Sequence, residues 1–168
     1  MSAANITISV DGVDDFKRTF SRLDASFDDL TPIWPDVRDE FWKIEGEQFD
    51  SEGAKGGSGK WPALSARYAL RKIKQYGAGL KILEATGDLR RSLTGDNPGS
   101  VYETTPKQIA VGTSIPYAMY HHRGSGNLKE RKVISFSEAQ RRRMQKTIQQ
   151  SLVKQLRTGR YYVPAADR

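Results

Sequence analysis

Residues 109–124, IAVGTSIPYAMYHHRG, restrict the fold of this chain more than any other stretch. The first half is a β-branched run, Ile109-Ala110-Val111, which Gly112-Thr113-Ser114 stops. The second half reads as a helix. Pro116 suits a first turn, where a missing N–H costs little, and Ser114 is the candidate cap. Tyr117 to His122 continue the helix, Arg123 lies where a cation suits the helix dipole, and Gly124 stops it. A strand that passes into an aromatic helix through a tight turn puts the chain in a mixed α+β class.

The same stretch holds both histidines, His121 and His122. Sequence neighbours do not share a helix face, the chain has no cysteine, and no HExxH-like spacing surrounds them. No nucleophile and acid partner are spaced for a histidine-dependent hydrolase either. The expectation is no metal site, no cofactor and no catalytic residue, with one histidine packed and the other solvated.

The rest of the chain supplies helices with clear apolar stripes. Residues 5–10, NITISV, alternate as a half-buried strand. Val13, Phe16, Phe20, Leu23, Phe27 and Leu30 then recur at intervals of three and four, which predicts an amphipathic helix. Thr31-Pro32 restarts the chain as cap and first helical residue. Ile33, Val37, Phe41 and Ile44 form the next stripe, flanked by Trp34, Trp42 and Phe49. Ser65 is placed to cap a basic helix ending near Tyr76-Gly77, and Thr86 or Asp88 to open a turn of helix with Leu89 and Leu93. Residues 101–104 and 108–111 read as a hairpin, and residues 133–136 as a further short strand. Ser137 with Gln140 fits a capping box, opening a helix with Met144, Ile148, Leu152 and Leu156 at intervals of four. The expected architecture is long amphipathic helices packed on a small, mainly antiparallel β-sheet. It forms one domain over residues 1–158, with a tail at 159–168.

Residues 51–60, SEGAKGGSGK, read as a flexible surface loop. They also mimic a phosphate-binding loop, which needs Gly, four residues, then Gly-Lys-Ser/Thr. Aligning Gly59-Lys60 puts Ala54 at the first glycine and Trp61 at the hydroxyl, so both ends fail.

Charge divides the chain. Residues 1–52 carry 5 basic and 13 acidic side chains, a balance of −8; residues 53–168 carry 22 and 7, a balance of +15. Such a split suits the acidic part of one subunit meeting the basic part of the next, or a basic face turned to nucleic acid. Hydrophobic residues make up 37% of the chain, which fits a modest core whose surface is partly covered by partners. No apolar run reaches the length of a membrane span, and the N-terminus lacks a signal-like block, so the chain is expected to be made and kept in a cytoplasm.

The order of these pieces resembles the tail-completion and virion-morphogenesis proteins of tailed bacteriophages. The matching features are Phe49, the glycine loop, Trp61-Pro62 with Leu64 and Ser65, and the run Leu83-Glu84-x-Thr86-Gly87-x-Leu89-Arg90-x-Ser92-Leu93. A strand ending in Val111-Gly112-Thr113 then leads to Pro116-Tyr117-Ala118 and a close at His121 or His122 and Gly124. The likeness covers residues 41–156. It departs at Glu130-Arg131-Lys132-Val133, where relatives usually carry an Arg-Pro segment. The resemblance implies a non-enzymatic structural protein of the phage neck or upper tail, made in the host cytoplasm and incorporated in the virion. Its implied partners are further copies of itself in a ring, a hexamer among the options, and neck and tail proteins such as tail terminator, head-closure or adaptor proteins. The ring would surround the DNA channel, with packaged DNA as a further contact. The candidates for subunit contacts or the channel wall are Arg90, Arg91, Arg141, Arg142, Arg143, Lys146, Tyr161 and Tyr162. The alternative is a free basic nucleic-acid-binding protein, supported by the +15 portion with Tyr68, Tyr76, Tyr102 and Tyr120 interspersed.

Overall fold

The computed structural model describes residues 28–158. The strand expected at 5–10, the helix expected from residue 13 as far as residue 27, and the tail with Tyr161 and Tyr162 lie outside the described residues. Among the described residues, five helices and one two-stranded antiparallel sheet give an α+β fold.

A 3-10 turn, Thr31–Ile33, leads into the central helix α1, Trp34–Asp50. Pro32 and Pro35 sit in first turns, where no N–H is needed. Thr31 is not the cap; the acceptor comes from Asp29, whose Oδ1 takes the Thr31 N–H at 2.9 Å. The predicted stripe of Ile33, Val37, Phe41 and Ile44 is fully buried, and Phe49 with it. The C-terminal half of α1 packs Phe41 and Phe49 into a core with Trp61, Ile82, Leu89, Leu93 and Val133. Its N-terminal half buries Ile33, Trp34 and Val37 against Met144, Ile148 and Leu152. Each large side chain fully removed from water stabilises the fold by about 1.5–3 kcal/mol.

Those last three residues belong to the long helix α5, Glu138–Thr158. Half of its capping box is formed: Gln140 Oε1 accepts from the Ser137 N–H at 2.9 Å. Polar bonds lock α5 to α1. Arg143 bridges Glu40 (2.8 Å) and Glu47 (2.9 Å), and Ser151 Oγ donates to Asp36 Oδ2 at 2.6 Å.

The hairpin pairs β1, Ser100–Thr105, with β2, Gln108–Thr113, in a register from Ser100↔Thr113 to Thr105↔Gln108, with Pro106-Lys107 as the turn. It anchors the start of α1: Leu30 N–H donates to Pro106 O and Trp34 Nε1 to Thr105 O, both at 2.8 Å. Helix α2, Ala66–Tyr76, is capped by Ser65, and α3, Asp88–Thr94, starts after Gly87 at φ 81. Helix α4, Tyr117–Arg123, follows Pro116 as expected, but Ser114 does not cap it; its Oγ donates back to Gly99 O at 3.2 Å.

Residues 133–136 are not a strand. Side chains, not a ladder, satisfy the carbonyls of this region. Gln48 Nε2 donates to Lys132 O (2.9 Å) and Val133 O (2.6 Å), and Trp61 Nε1 to Lys132 O (3.0 Å). The glycine loop lies against the same segment. Gly57 N–H donates to Ser135 O at 2.9 Å, and a Cβ on Gly57 would fall 2.3 Å from Phe136 O, so only glycine fits there. No helix among the described residues is long and apolar enough to cross a membrane.

Candidate interaction surface

Helix α2 departs from the inward packing of α1, α3 and α5. Its apolar residues Ala66, Ala69, Leu70, Ile73 and Tyr76 recur at helical spacing and share one face. That face is not turned inward: Leu70 is 70% exposed and Ile73 50%. The one residue of α2 that is buried is a lysine. Lys72, 5% exposed, donates from Nζ to the carbonyls of Leu80 (3.3 Å) and Lys81. Long basic side chains lay their methylenes on apolar surface while the ammonium seeks oxygen, and here the oxygens are those of the returning chain.

Among the described residues, two outside glycine hold the left-handed conformation, Glu52 at φ 49 and Leu83 at φ 63, at a cost of about 1–2 kcal/mol each. Both lie where the returning chain meets the end of α1. Glu52 Oε1 accepts from the Ile82 N–H at 2.9 Å, and Asp50 Oδ1 accepts from Lys81 Nζ (3.1 Å) and Arg90 Nη2 (2.9 Å). The hydrogen bond from Lys81, reinforced by the charge of Arg90, holds the Asp50 carboxyl below the usual carboxylate range.

Between α2, α4 and residues 127–131 lies a groove of about 610 Å³. Tyr68 and Tyr76 line one wall and Tyr117 another. Arg71 lies over the Tyr68 ring at 5.1 Å, and the Tyr117 and His121 rings meet edge to face at 6.1 Å. In the floor Arg131 is 5% exposed. Its Nε donates to Pro62 O (2.9 Å), Nη1 to Lys129 O (3.4 Å) and Nη2 to Ala63 O (3.3 Å), and no ion pair reaches it among the described residues. His121 Nδ1 is buried with no hydrogen-bond partner among them. Burial, aided by the Arg131 charge, pushes the His121 pKa below its ordinary value, so the ring is neutral at pH 7. No group of three or more His, Cys, Asp or Glu among the described residues is arranged to hold a metal ion.

The sequence candidates are divided between α3 and α5. Arg90 pairs with Glu84 (2.6 Å) and Asp50 (2.9 Å) inside the subunit, Arg91 with Asp88, and Arg143 with Glu40 and Glu47. Arg142 makes an exposed pair with Glu138 at 3.2 Å. Arg141 and Lys146 are exposed on α5. The groove is lined by none of the six candidates among the described residues. Its own cations, Lys72 and Arg131, were not singled out, because the sequence does not reveal that a charge lies beneath the surface. The stripe of α2 was readable; its outward orientation was not.

A family model described as the phage virion morphogenesis family matches residues 11–153. No curated protein matches the chain, and no solved structure matches it.

Proposed function

The chain belongs to the phage virion morphogenesis family, a structural and assembly family, and from that premise we propose that it is a non-enzymatic component of the neck or upper tail. In this reading it completes the tail and supports head-to-tail joining through ring contacts around the DNA channel.

One observation carries the reading: the apolar face of α2 stays in water while its lysine is buried. A helix with Leu70 and Ile73 uncovered is a surface prepared for another protein. The alternative of a free nucleic-acid binder is weakened by the candidate cations themselves, since Arg90, Arg91 and Arg143 are drawn into pairs within the subunit. Arg141 and Lys146, exposed on α5 beside the surface pair of Arg142 with Glu138, are the cations offered as channel or subunit contacts in the ring.

The test is a reconstruction of the intact particle with the chain located in it, alongside phage carrying Leu70→Asp with Ile73→Asp. The expected result is a ring at the head–tail junction in the wild type, and unjoined heads and tails in the variant. A chain absent from purified particles and from every assembly intermediate overturns the reading.

A further inference from the structure

We propose that the groove between α2 and α4 is a socket for the acidic residues 11–16 of a second copy of this chain; the proposal rests on the assembly reading above. The socket is incomplete as it stands. Arg131 and Lys72 are each 5% exposed and donate to backbone carbonyls. A carbonyl accepts a hydrogen bond but brings no full negative charge; Lys72 already feels the charges of Glu84 and Glu52, whereas Arg131 has no carboxylate partner among the described residues, and a buried cation calls for one. Arg71 and Lys129 add two more cations at the rim. The one carboxylate among the lining residues, Glu84, is held by Arg90 at 2.6 Å.

The occupant must carry carboxylates beside apolar groups, because tyrosines form the walls. A duplex backbone does not meet this need. Phosphate contacts on DNA are made by cations that reach outward, whereas Arg131 and Lys72 lie below the surface, where a peptide side chain can enter. The chain itself contains a fitting peptide. Residues 11–16, DGVDDF, hold three aspartates, a valine and a phenylalanine, with no basic residue. The next aspartate pair toward the body is already engaged: Asp28 with Lys107 Nζ at 2.9 Å, and Asp29 with the Thr31 N–H.

The assembly reading assigns the segment to a neighbour. The chain enters α1 beside the hairpin turn, where Leu30 N–H meets Pro106 O. The groove lies by the opposite end of α1, where Asp50 and Glu52 hold Lys81 and Ile82. A helix of 17 residues separates the two ends by ~25 Å. A segment ahead of Asp28 in one copy and the socket of the next make a head-to-tail contact, the type that closes into rings.

The experiment uses the full chain in sedimentation velocity from micromolar to millimolar concentration. Wild type should assemble with rising concentration. Arg71→Glu with Lys129→Glu, and separately Asp14→Lys with Asp15→Lys, should each leave a monomer whose thermal melt matches wild type. An equimolar mixture of the two variants should assemble again, because each reversed socket then meets a reversed segment. Assembly that survives either variant, or a mixture that stays monomeric, overturns the proposal. So does binding of a duplex oligonucleotide that is lost with Arg71→Glu and Lys129→Glu. A wild type that stays monomeric to millimolar concentration yet is found in particles removes the socket and leaves the assembly reading standing.

Discussion

The body formed by α1, α3 and α5 and the arm formed by α2 with its returning chain solve the burial problem in opposite ways. In the body, Phe41, Phe49, Leu89 and Leu93 go inside, and charges on facing helices pair at the rim, as Arg143 does with Glu40 and Glu47. In the arm, Leu70 and Ile73 stay outside and Lys72 goes in, tied to two carbonyls. The body therefore carries its own stability. The arm is held at its ends by Trp61 and Ile82 in the core and by a left-handed turn at Leu83, while α2 itself leaves an apolar surface that becomes favourable only when something covers it. A chain that needed only to fold would gain by rotating α2 inward, and the proposed assembly role gives a reason for holding it outward.

The largest expected effect breaks the comparison at its sharpest point. Phe49→Ala should lower the unfolding free energy by about 3–5 kcal/mol in a urea titration, because a fully buried ring leaves a cavity. Leu70→Ala, the same kind of truncation on the arm, should change it by less than about 0.5 kcal/mol. A comparable loss at both sites would mean that α2 packs on the body in solution, and the contrast would vanish.

Glu45 sharpens the contrast from the body's side. Its carboxylate is fully buried with neither oxygen hydrogen-bonded among the described residues, and burial pushes its pKa up to about 8. The folded state holds the proton while the unfolded chain releases it near the ordinary value of 4.5. The cost is therefore absent below about pH 4.5, grows as pH rises to about 8, and is level above that. At about 1.4 kcal/mol per pKa unit it amounts to a few kcal/mol. Glu45→Gln should raise the Tm at pH 8 by several degrees and leave it little changed at pH 4.5. A parallel pH profile for wild type and variant would refute the assignment.

How far these features were legible follows from the range of the interactions that make them. The stripes of α1 and α5, the Ser65 cap, the hairpin turn at Pro106-Lys107 and the Pro116 start of α4 are local patterns, and each is present. Apart from the Thr31 and Ser114 caps, the misses are long-range. Val133 and its neighbours have strand propensity, but Gln48 and Trp61, more than seventy residues away, take the carbonyls a ladder would use. The glycine loop reads as flexible because composition cannot show that Phe136 lies against Gly57. Arg90 and Arg143 also gain acidic partners that are 40 and about a hundred residues away in sequence, beside the nearby Glu84 of Arg90. The groove was invisible for the same reason: its walls come from four separate segments. Gly57→Ala tests the loop directly. With its Cβ placed against a backbone carbonyl, the variant should lose about 1–3 kcal/mol, read by urea titration. An unchanged midpoint would mean that the loop does not stay on Phe136.

The smallest effect is the most diagnostic of how the arm is held. Ser65 Oγ accepts from the Tyr68 N–H at 3.3 Å and is the side-chain cap of a helix only 11 residues long. Losing such a cap costs about 1 kcal/mol, and a helix of this length is marginal by itself. If α2 belonged to the same cooperative unit as α1, Ser65→Ala would lower the global midpoint by that amount. If it is a separate unit, the midpoint should stay put. Amide exchange should then accelerate about fivefold within α2 alone, the rate change that 1 kcal/mol of local opening produces, while the amides of α1 keep their protection. The second outcome is expected, because α2 itself contributes no residue to either core cluster and is anchored only by the segments that flank it. It would also explain how α2 can reorient onto a partner without cost to the core. Uniform acceleration in both helices would instead join arm and body into one folding unit, and the uncovered face of α2 would have to be accounted for by the strength of its tethers.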